Sequence, residues 1–258
     1  MADIKTSKEA MRAYATSWDK TIQSLWPAIY PSSLSSELKK LNVKTILDCA
    51  GGTGYPAILL KKMGWDISYS DGSNEMVTVF KERLKEEGLD IPTYGSRWED
   101  LSENVPNTYD AVMCSGNSFV GIATFENTEY SIQKESVMLR MKLAVAEFYK
   151  KVNKGGVLYI DLFKKESVAP EQPYTLDVSF DDERVILNVS YDPVRNIRTA
   201  LSTNISLTDG SEVDTITKLA PLYSEELFEL LIEAGFSRIE KANIEGAEFV
   251  DGFMAFKD

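Results

Sequence analysis

Residues 43–57, Val-Lys-Thr-Ile-Leu-Asp-Cys-Ala-Gly-Gly-Thr-Gly-Tyr-Pro-Ala, constrain the fold of this chain more than any other stretch. The apolar run that ends at Leu47 is typical of a buried strand. Gly51, Gly52 and Gly54 follow it and predict a tight turn, after which a proline suits the first turn of a helix. Because glycine lets the backbone approach a ligand and a helix N terminus offers free N–H groups, the stretch predicts a cradle for a nucleotide-like ligand.

Two kinds of cradle fit the glycines. Gly52, Gly54 and Ala57 match the dinucleotide pattern G-x-G-x-x-A. However, Asp48 lies at the strand end, four residues before Gly52, where a carboxylate opposes a pyrophosphate and suits an ammonium group. The run 47–54 also resembles motif I of the class I S-adenosylmethionine (SAM) methyltransferases. A dinucleotide-dependent reductase and a turn without any ligand are the alternatives.

Composition narrows the class of partner. The chain has 258 residues, a formal net charge of −12 and a pI near 4.7, which argues against nucleic acid and for a small-molecule substrate. It contains no histidine, so a histidine base and histidine-ligated metals are excluded, and we expect no metal cofactor. The sequence has no apolar run of membrane-spanning length and no signal peptide, so we expect a cytoplasmic protein away from the membrane.

The order of predicted elements indicates an α/β fold. Apolar strands alternate with helical periodicity from the cradle to residue 161, and a predicted antiparallel hairpin closes the chain. This order predicts a doubly wound, mostly parallel seven-stranded sheet of the Rossmann-like type, within a single domain over 1–258. The predicted strands are 43–48, 65–70, 91–94, 109–115, 157–161, 236–244 and 249–256, and the predicted helices are 55–63, 74–87, 131–152 and 225–234.

Two segments depart from this alternation. Residues 173–219 alternate apolar and polar side chains between turn signals, which predicts a small antiparallel sheet inserted into the domain. Residues 1–42 predict a helix over 10–26, ended by Pro27 and Pro31, and a second helix over 34–41. This N-terminal segment is either an ordinary packing helix or a lid. Aromatic faces suit a sulfonium or ammonium ion, so Tyr14 and Trp18 are candidate catalytic residues.

Candidate ligand-binding residues fall at the predicted carboxyl ends of several strands, where doubly wound sheets bind their ligands. They are Asp48, Asp71, Ser115, Asn117 and Asp161. Asp71 follows Gly54 by 17 positions, close to the distance at which an acidic residue hydrogen-bonds ribose hydroxyls.

Four segments together resemble glycine N-methyltransferase and related small-amine methyltransferases. They are the motif I run, 71–76 (Asp-Gly-Ser-Asn-Glu-Met), Arg97-Trp98, and 109–119 (Tyr-Asp-Ala-Val-Met-Cys-Ser-Gly-Asn-Ser-Phe). The resemblance implies SAM as cofactor, S-adenosylhomocysteine as product and methylation of a small amine. It implies that Asn117 faces the acceptor. The cofactor residues it implies are Asp48, Ala50, Gly51, Gly52, Gly54, Asp71, Gly72, Met76, Arg97, Trp98 and Ser115, with the Ala50 and Ser115 carbonyls on the ammonium group.

The acceptor site departs from that family. An arginine that follows the fifth strand there and holds the glycine carboxylate corresponds to Phe163 here, and Lys164 offers only a point charge. We therefore expect glycine to be a poor substrate and the acceptor to be larger and partly apolar, packing on Trp18, Tyr30, Phe119 or Phe163. The alternatives are an O-methyltransferase of a hydroxylated or aromatic metabolite and a non-catalytic SAM-binding sensor or partner subunit. Homo-oligomerisation stays open.

Overall fold

The computed structural model describes residues 26–123 and 134–258, together with Arg12, Ala15, Trp18 and Asp19. Its strands are β1 (Thr45–Asp48), β2 (Asp66–Asp71), β3 (Thr93–Gly95), β4 (Tyr109–Cys114), β5 (Val152–Phe163), β6 (Tyr174–Ser179), β7 (Glu183–Asp192), β8 (Ile197–Ser206), β9 (Glu212–Leu219), β10 (Arg238–Lys241) and β11 (Val250–Phe256). Its α-helices are α1 (Tyr30–Lys40), α2 (Ala57–Lys62), α3 (Asn74–Glu87), α4 (Leu101–Asn104), α5 (Lys134–Lys151), α6 (Lys165–Val168) and α7 (Ser224–Ala234).

The large sheet has seven strands in the order β10-β11-β5-β4-β1-β2-β3. Strands β1 to β5 pair in parallel, whereas β11 pairs antiparallel with both β5 and β10. This confirms the predicted doubly wound, mostly parallel sheet with an antiparallel edge. The chain builds outward in opposite directions from β1, so the carboxyl ends of β1 and β4 flank the crevice in which such sheets bind ligands.

Alternating side chains on the central strands explain why helices cover both faces of the sheet. On one face, Leu47, Val112 and Leu158 are fully buried in a core that includes residues of α5 and α7. On the other face, Ile46 and Ala111 are buried in a core shared with α1, α2 and α3. Strands that are apolar on both faces are typical of parallel sheets, and this packing holds the strand ends of the crevice in place.

The segment 173–219 forms the predicted second sheet, with four antiparallel strands in the order β6-β7-β8-β9. The register places Leu176 opposite Leu187, Leu187 opposite Ser202, and Ser202 opposite Thr215. Since directly paired residues project to the same face, these four side chains form a continuous row across the sheet.

Several predicted boundaries differ from the structure. Helix α1 begins at Tyr30 and contains Pro31 in its first turn, where proline is tolerated, so Pro31 does not end a helix as predicted. Helix α5 ends at Lys151 and β5 begins at the next residue, so Gly155 and Gly156 lie within a strand. A Cβ on Gly156 would lie 2.6 Å from the Asp110 carbonyl oxygen of the neighbouring strand, which explains the glycine there. Most of the predicted helix 10–26 and residues 131–133 lie outside the described residues.

Candidate active site

The glycine turn is fixed on one side and open on the other. A Cβ on Gly51 would lie 2.2 Å from Tyr69 Cδ2, so this glycine is required by packing against β2. Gly52 has φ +50°, and a Cβ there would meet only Trp18 Nε1, at 4.0 Å. The Tyr69 hydroxyl donates a hydrogen bond to the Gly52 carbonyl oxygen at 2.5 Å. The turn is therefore held from beneath, while the open side of Gly52 faces a cleft.

Asp71 joins the end of β2 to the glycine turn. Its Oδ2 accepts the Gly52 N–H at 2.9 Å, and its Oδ1 accepts the Ser73 N–H at 2.8 Å. Burial raises the pKa of this carboxyl, and the two backbone N–H donors partly offset that rise. Each oxygen keeps a lone pair, so Asp71 can still accept hydrogen bonds from ligand hydroxyls on the cleft.

Asp48 keeps one carboxylate oxygen without a partner. It is fully buried at the end of β1, and its Oδ1 accepts the Ala50 N–H at 3.2 Å. Its Oδ2 has no hydrogen-bond partner within the described part of the chain. Burial raises the pKa of Asp48 to about 7. A buried carboxylate oxygen without a donor is costly. Asp48 lies at the strand end that precedes the glycine turn and is not among the residues that line either of the two cavities described below.

A second side of the cleft carries the residues predicted to surround adenine. Met76 is buried against Ala15, and Trp18 packs beside it. The Trp98 indole donates a hydrogen bond to the Cys49 carbonyl oxygen at 2.5 Å, which fixes the ring beside the end of β1. Both Met76 and Trp98 line the cleft, as do Arg97 and Gly72. The structure thus brings these four residues to one cleft.

The ends of β4 and β5 are joined through Asp161 and Asn117. Asp161 accepts the Asn117 N–H at 2.6 Å, the Gly116 N–H at 3.1 Å and the Tyr159 hydroxyl at 3.1 Å, and burial raises its pKa to about 6. Asn117 has φ +56°, and its Oδ1 accepts the Phe163 N–H at 2.8 Å. No described residue is bonded to Asn117 Nδ2, and the side chain lines the cleft.

The cleft itself has a volume of about 840 Å³ and runs from the glycine turn to the antiparallel sheet. Its size suits a nucleoside cofactor together with a second molecule. The predicted residues on its wall are Trp18, Ala50, Gly52, Asp71, Gly72, Met76, Arg97, Trp98, Asn117 and Phe163. A smaller cavity of about 30 Å³ adjoins it and is lined by Tyr30, Gly51, Ser115 and other residues.

Some predicted site residues lie elsewhere. Phe119 is fully buried, and its ring centroid lies 5.9 Å from those of Trp98 and Phe148, so it belongs to the core. Lys164 is exposed and is not among the residues that line either cavity. The Ser115 carbonyl oxygen accepts the Ser118 hydroxyl at 2.7 Å, which leaves it one lone pair for a ligand. Tyr14 lies outside the described residues.

The antiparallel sheet supplies cleft residues that the sequence interpretation did not assign to the site. Its inner face contributes Leu176, Val178, Val185, Leu187, Arg198, Ala200, Ser202, Asn204, Thr215, Thr217 and Leu219. On β8 these residues occur at every second position from Arg198 to Asn204, so the period of the strand contained the signal. What the period alone did not indicate is that this face lies over the cradle.

Two other features bear on the class of protein. Among residues 26–123 and 134–258, with the four described N-terminal residues, no group of histidine, cysteine or carboxylate side chains is arranged to hold a metal ion. Within the same residues, no helix is both long enough and apolar enough to cross a membrane.

The sequence of this chain is similar to those of several known proteins. Residues 46–133 match a family described as "Methyltransferase domain". The chain is 27% identical over 240 residues to a glycine/sarcosine/dimethylglycine N-methyltransferase of Actinopolyspora halophila, covering 90% of this chain and 38% of the relative. It is 30% identical over 158 residues to a glycine/sarcosine N-methyltransferase of Halorhodospira halochloris, covering 60% of this chain and 53% of the relative. The chain thus spans only about two fifths to one half of these relatives.

Solved structures share the fold at low sequence identity. A SAM-dependent methyltransferase from Clostridium acetobutylicum superposes with a TM-score of 0.73 at 14% identity, covering 95% of this chain and 97% of that one. The sugar N-methyltransferase KedS8 from a Streptoalloteichus species gives a TM-score of 0.66 at 16% identity, covering 89% and 87%.

Proposed function

We propose that this chain is a class I SAM-dependent methyltransferase related to the glycine N-methyltransferases, and that it methylates the nitrogen of a small amine or amino-acid-like compound. The fold and the sequence similarity support the class. The acceptor is proposed from the site, because the chain matches only part of the length of its curated relatives.

The observation that carries SAM binding is the pair of buried carboxylates around the glycine turn. Asp48 Oδ2 has no partner within the described residues and suits the ammonium group of SAM. Asp71 suits the ribose hydroxyls, and Met76, Arg97 and Trp98 form a wall for adenine. A Cβ on Gly52 would enter the ligand's space. When bound, SAM would supply a sulfonium methyl group, which a neutral amine attacks in line: the C–N bond forms as the C–S bond breaks, and S-adenosylhomocysteine is the leaving group.

Asn117 is proposed to orient the acceptor. The Phe163 N–H occupies one lone pair of Asn117 Oδ1 and fixes the amide. The second lone pair of Asn117 Oδ1 can accept an N–H of the acceptor amine. The lone pair of the amine nitrogen then points away from Asn117. An amine that binds in its neutral form needs no general base, so the absence of histidine is compatible with turnover. The residues then contribute alignment and exclusion of water.

The direct test is methyl transfer from radiolabelled SAM to a panel of amines, amino acids and phenols. We expect label in amine products and a slower turnover for Asn117→Ala, with SAM affinity nearly unchanged, because Asn117 serves the acceptor. Efficient formation of sarcosine from glycine would contradict the expected preference for a larger acceptor. Label that appears only in phenols would overturn the proposal of N-methylation.

A further inference from the structure

Arg198 is a buried cation on the wall of the cleft. It is only 7% exposed, it lies on the inner face of β8, and its Nε is enclosed without a hydrogen-bond partner. No described residue lies within hydrogen-bond distance of that nitrogen. Buried charges in proteins are normally paired, because desolvation of an unpaired charge is costly. An arginine in this state, facing a cavity, indicates a ligand that supplies the missing anion.

The strand register shows at which end of the small sheet Arg198 lies. Arg198 pairs with Tyr191 on β7 and with Leu219 on β9, at the end of the sheet where the chain enters β6 and leaves β9. Leu219 packs against the main core of the domain. Arg198 therefore lies at the end of the small sheet that adjoins the large one, and not at its free tip. Asn117 and Arg198 line the same cleft.

The chemistry of the guanidinium indicates which anion fits. The cleft wall carries the carboxylates Asp71, Glu75 and Glu99 and, besides Arg198, the guanidinium groups of Arg97 and Arg140. Glu99 accepts a hydrogen bond from Arg140 at 2.7 Å. The whole chain has a net charge of −12, which disfavours a multiply charged anion. The planar fork of Arg198 matches the two oxygens of a carboxylate.

We propose that Arg198 binds a carboxylate of the methyl acceptor, so that the acceptor is an amine that also carries a carboxylate and an apolar body. This inference rests on the proposed N-methyltransferase function and deepens it. The apolar body would lie along Leu176, Val178 and Leu187, which share the inner face with Arg198. The carboxylate would thus be held by Arg198 on β8, and not by a residue at the position of Phe163 at the end of β5.

The first experiment separates anion binding from catalysis. Thermal unfolding is measured with S-adenosylhomocysteine present and with phenylacetate or phenylacetamide added, for wild type, Arg198→Gln, Arg198→Lys and Arg184→Gln. Arg184 is the matched control, since it is exposed on the same sheet and paired with Asp177. We expect phenylacetate to raise the unfolding temperature of wild type and Arg184→Gln, to raise it less for Arg198→Lys, and to have no effect on Arg198→Gln. Phenylacetamide should have no effect on any of them.

The second experiment measures turnover with phenylalanine and phenylalaninamide. We expect wild type to favour phenylalanine by at least 30-fold in kcat/KM and Arg198→Gln to reduce that ratio to about one, while SAM affinity stays unchanged. An equal carboxylate effect in wild type and Arg198→Gln, in either experiment, would overturn the role of Arg198. Carboxylate-dependent stabilisation without any methyl transfer would instead refute the proposed N-methylation and leave the anion site standing.

Discussion

At the scale of single residues, the glycines of the cradle are required for different structural reasons. Gly51 is needed because Tyr69 packs directly beneath it, whereas Gly52 is needed because its φ is positive and its open side faces the cleft. A sequence pattern cannot tell these two reasons apart, since both positions are simply glycine. The structure separates them by what an added Cβ would contact.

We expect Gly52→Val to abolish SAM binding while the fold persists. The added side chain would enter the cleft, and the left-handed backbone would cost about 1–2 kcal/mol of stability. Gly88→Val is the matched control, because Gly88 has φ +64° and no atom lies within 4 Å of the point that its Cβ would occupy. Isothermal titration calorimetry measures affinity, and denaturant unfolding measures stability. If both variants lose equal stability and both bind SAM, the turn does not hold the cofactor.

Asp48 makes the stability of the ligand-free protein depend on pH. Its folded-state pKa of about 7 lies above the unfolded-state value of about 3.9. A raised folded-state pKa means that the folded protein binds the proton more tightly, so its stabilising effect is complete below about pH 3.9 and is lost as the pH rises through about 7. Burial also raises the pKa values of Asp71 and Asp161, so these two carboxyls add a pH dependence of stability of the same sign.

We therefore expect the free energy of unfolding of wild type to fall more steeply between about pH 4 and pH 8 than that of Asp48→Asn. The shift of roughly three pKa units sets an upper bound of about 4 kcal/mol on the difference. The same titration predicts that SAM binding near pH 6 releases a proton, because the ammonium group favours ionised Asp48. Calorimetry in buffers with different ionisation enthalpies measures that proton. Identical pH profiles for the two proteins would exclude Asp48 as the titrating group.

At the scale of elements, the alternation of strands and helices could be predicted because each strand has an apolar period and each turn a glycine or a cap. The helix boundary at Pro31 could not be predicted, because proline occurs both just after a helix and in the first turn of one. The sequence also did not indicate that the second sheet lines the cleft. Alternation along β8 identifies one face, but the docking of that face over the cradle depends on contacts between distant segments. For this reason the sequence did not indicate Arg198 as a site residue, and it assigned the core residue Phe119 to the site.

The N-terminal residues that the structure describes are tied to the cradle by a polar cluster. Asp19 Oδ1 accepts the Thr53 hydroxyl at 2.7 Å and Arg83 Nη1 at 2.5 Å, and Arg83 Nη1 also donates to the Thr53 carbonyl oxygen at 3.1 Å. The Asp19 and Arg83 side chains are largely buried. Because Thr53 lies between Gly52 and Gly54, this cluster joins the N-terminal segment to the glycine turn, whether that segment is a lid or a fixed packing element.

We expect Asp19→Asn to weaken SAM binding by roughly tenfold, about 1.4 kcal/mol, the order of a charged hydrogen bond. The control is Glu82→Gln, which breaks the ion pair between Arg12 and Glu82, whose side chains are about half exposed. Exposed pairs contribute little, so this variant should change affinity less than twofold. Calorimetric titration with SAM distinguishes the two variants. Equal effects would mean that the cluster does not support the cradle.

At the scale of the whole molecule, both sheets line one cleft and contribute different kinds of residues to it. The large sheet supplies the cradle, the buried carboxylates and Asn117 from its strand ends. The small sheet supplies a mixed face of apolar and hydroxyl or amide side chains, with Arg198 at the end nearer the large sheet. Under the proposed function, cofactor and acceptor contacts come from different sheets, so a change on the small sheet should affect the acceptor and spare the cofactor.

Substitution on the two faces of β7 tests this division. Leu187 lies on the inner face and lines the cleft, while Ile186, the adjacent residue, projects to the opposite face. We expect Leu187→Trp to fill the acceptor side of the cleft and to raise the KM for an aromatic amino acid at least tenfold, with the SAM dissociation constant unchanged. Ile186→Trp adds the same bulk outside the cleft and should leave both constants near wild type. Steady-state kinetics with phenylalanine and calorimetry with SAM measure the two effects. A Leu187→Trp enzyme that loses SAM affinity and acceptor affinity together would show that the cleft is not divided between the sheets, because the small sheet would then contact the cofactor as well.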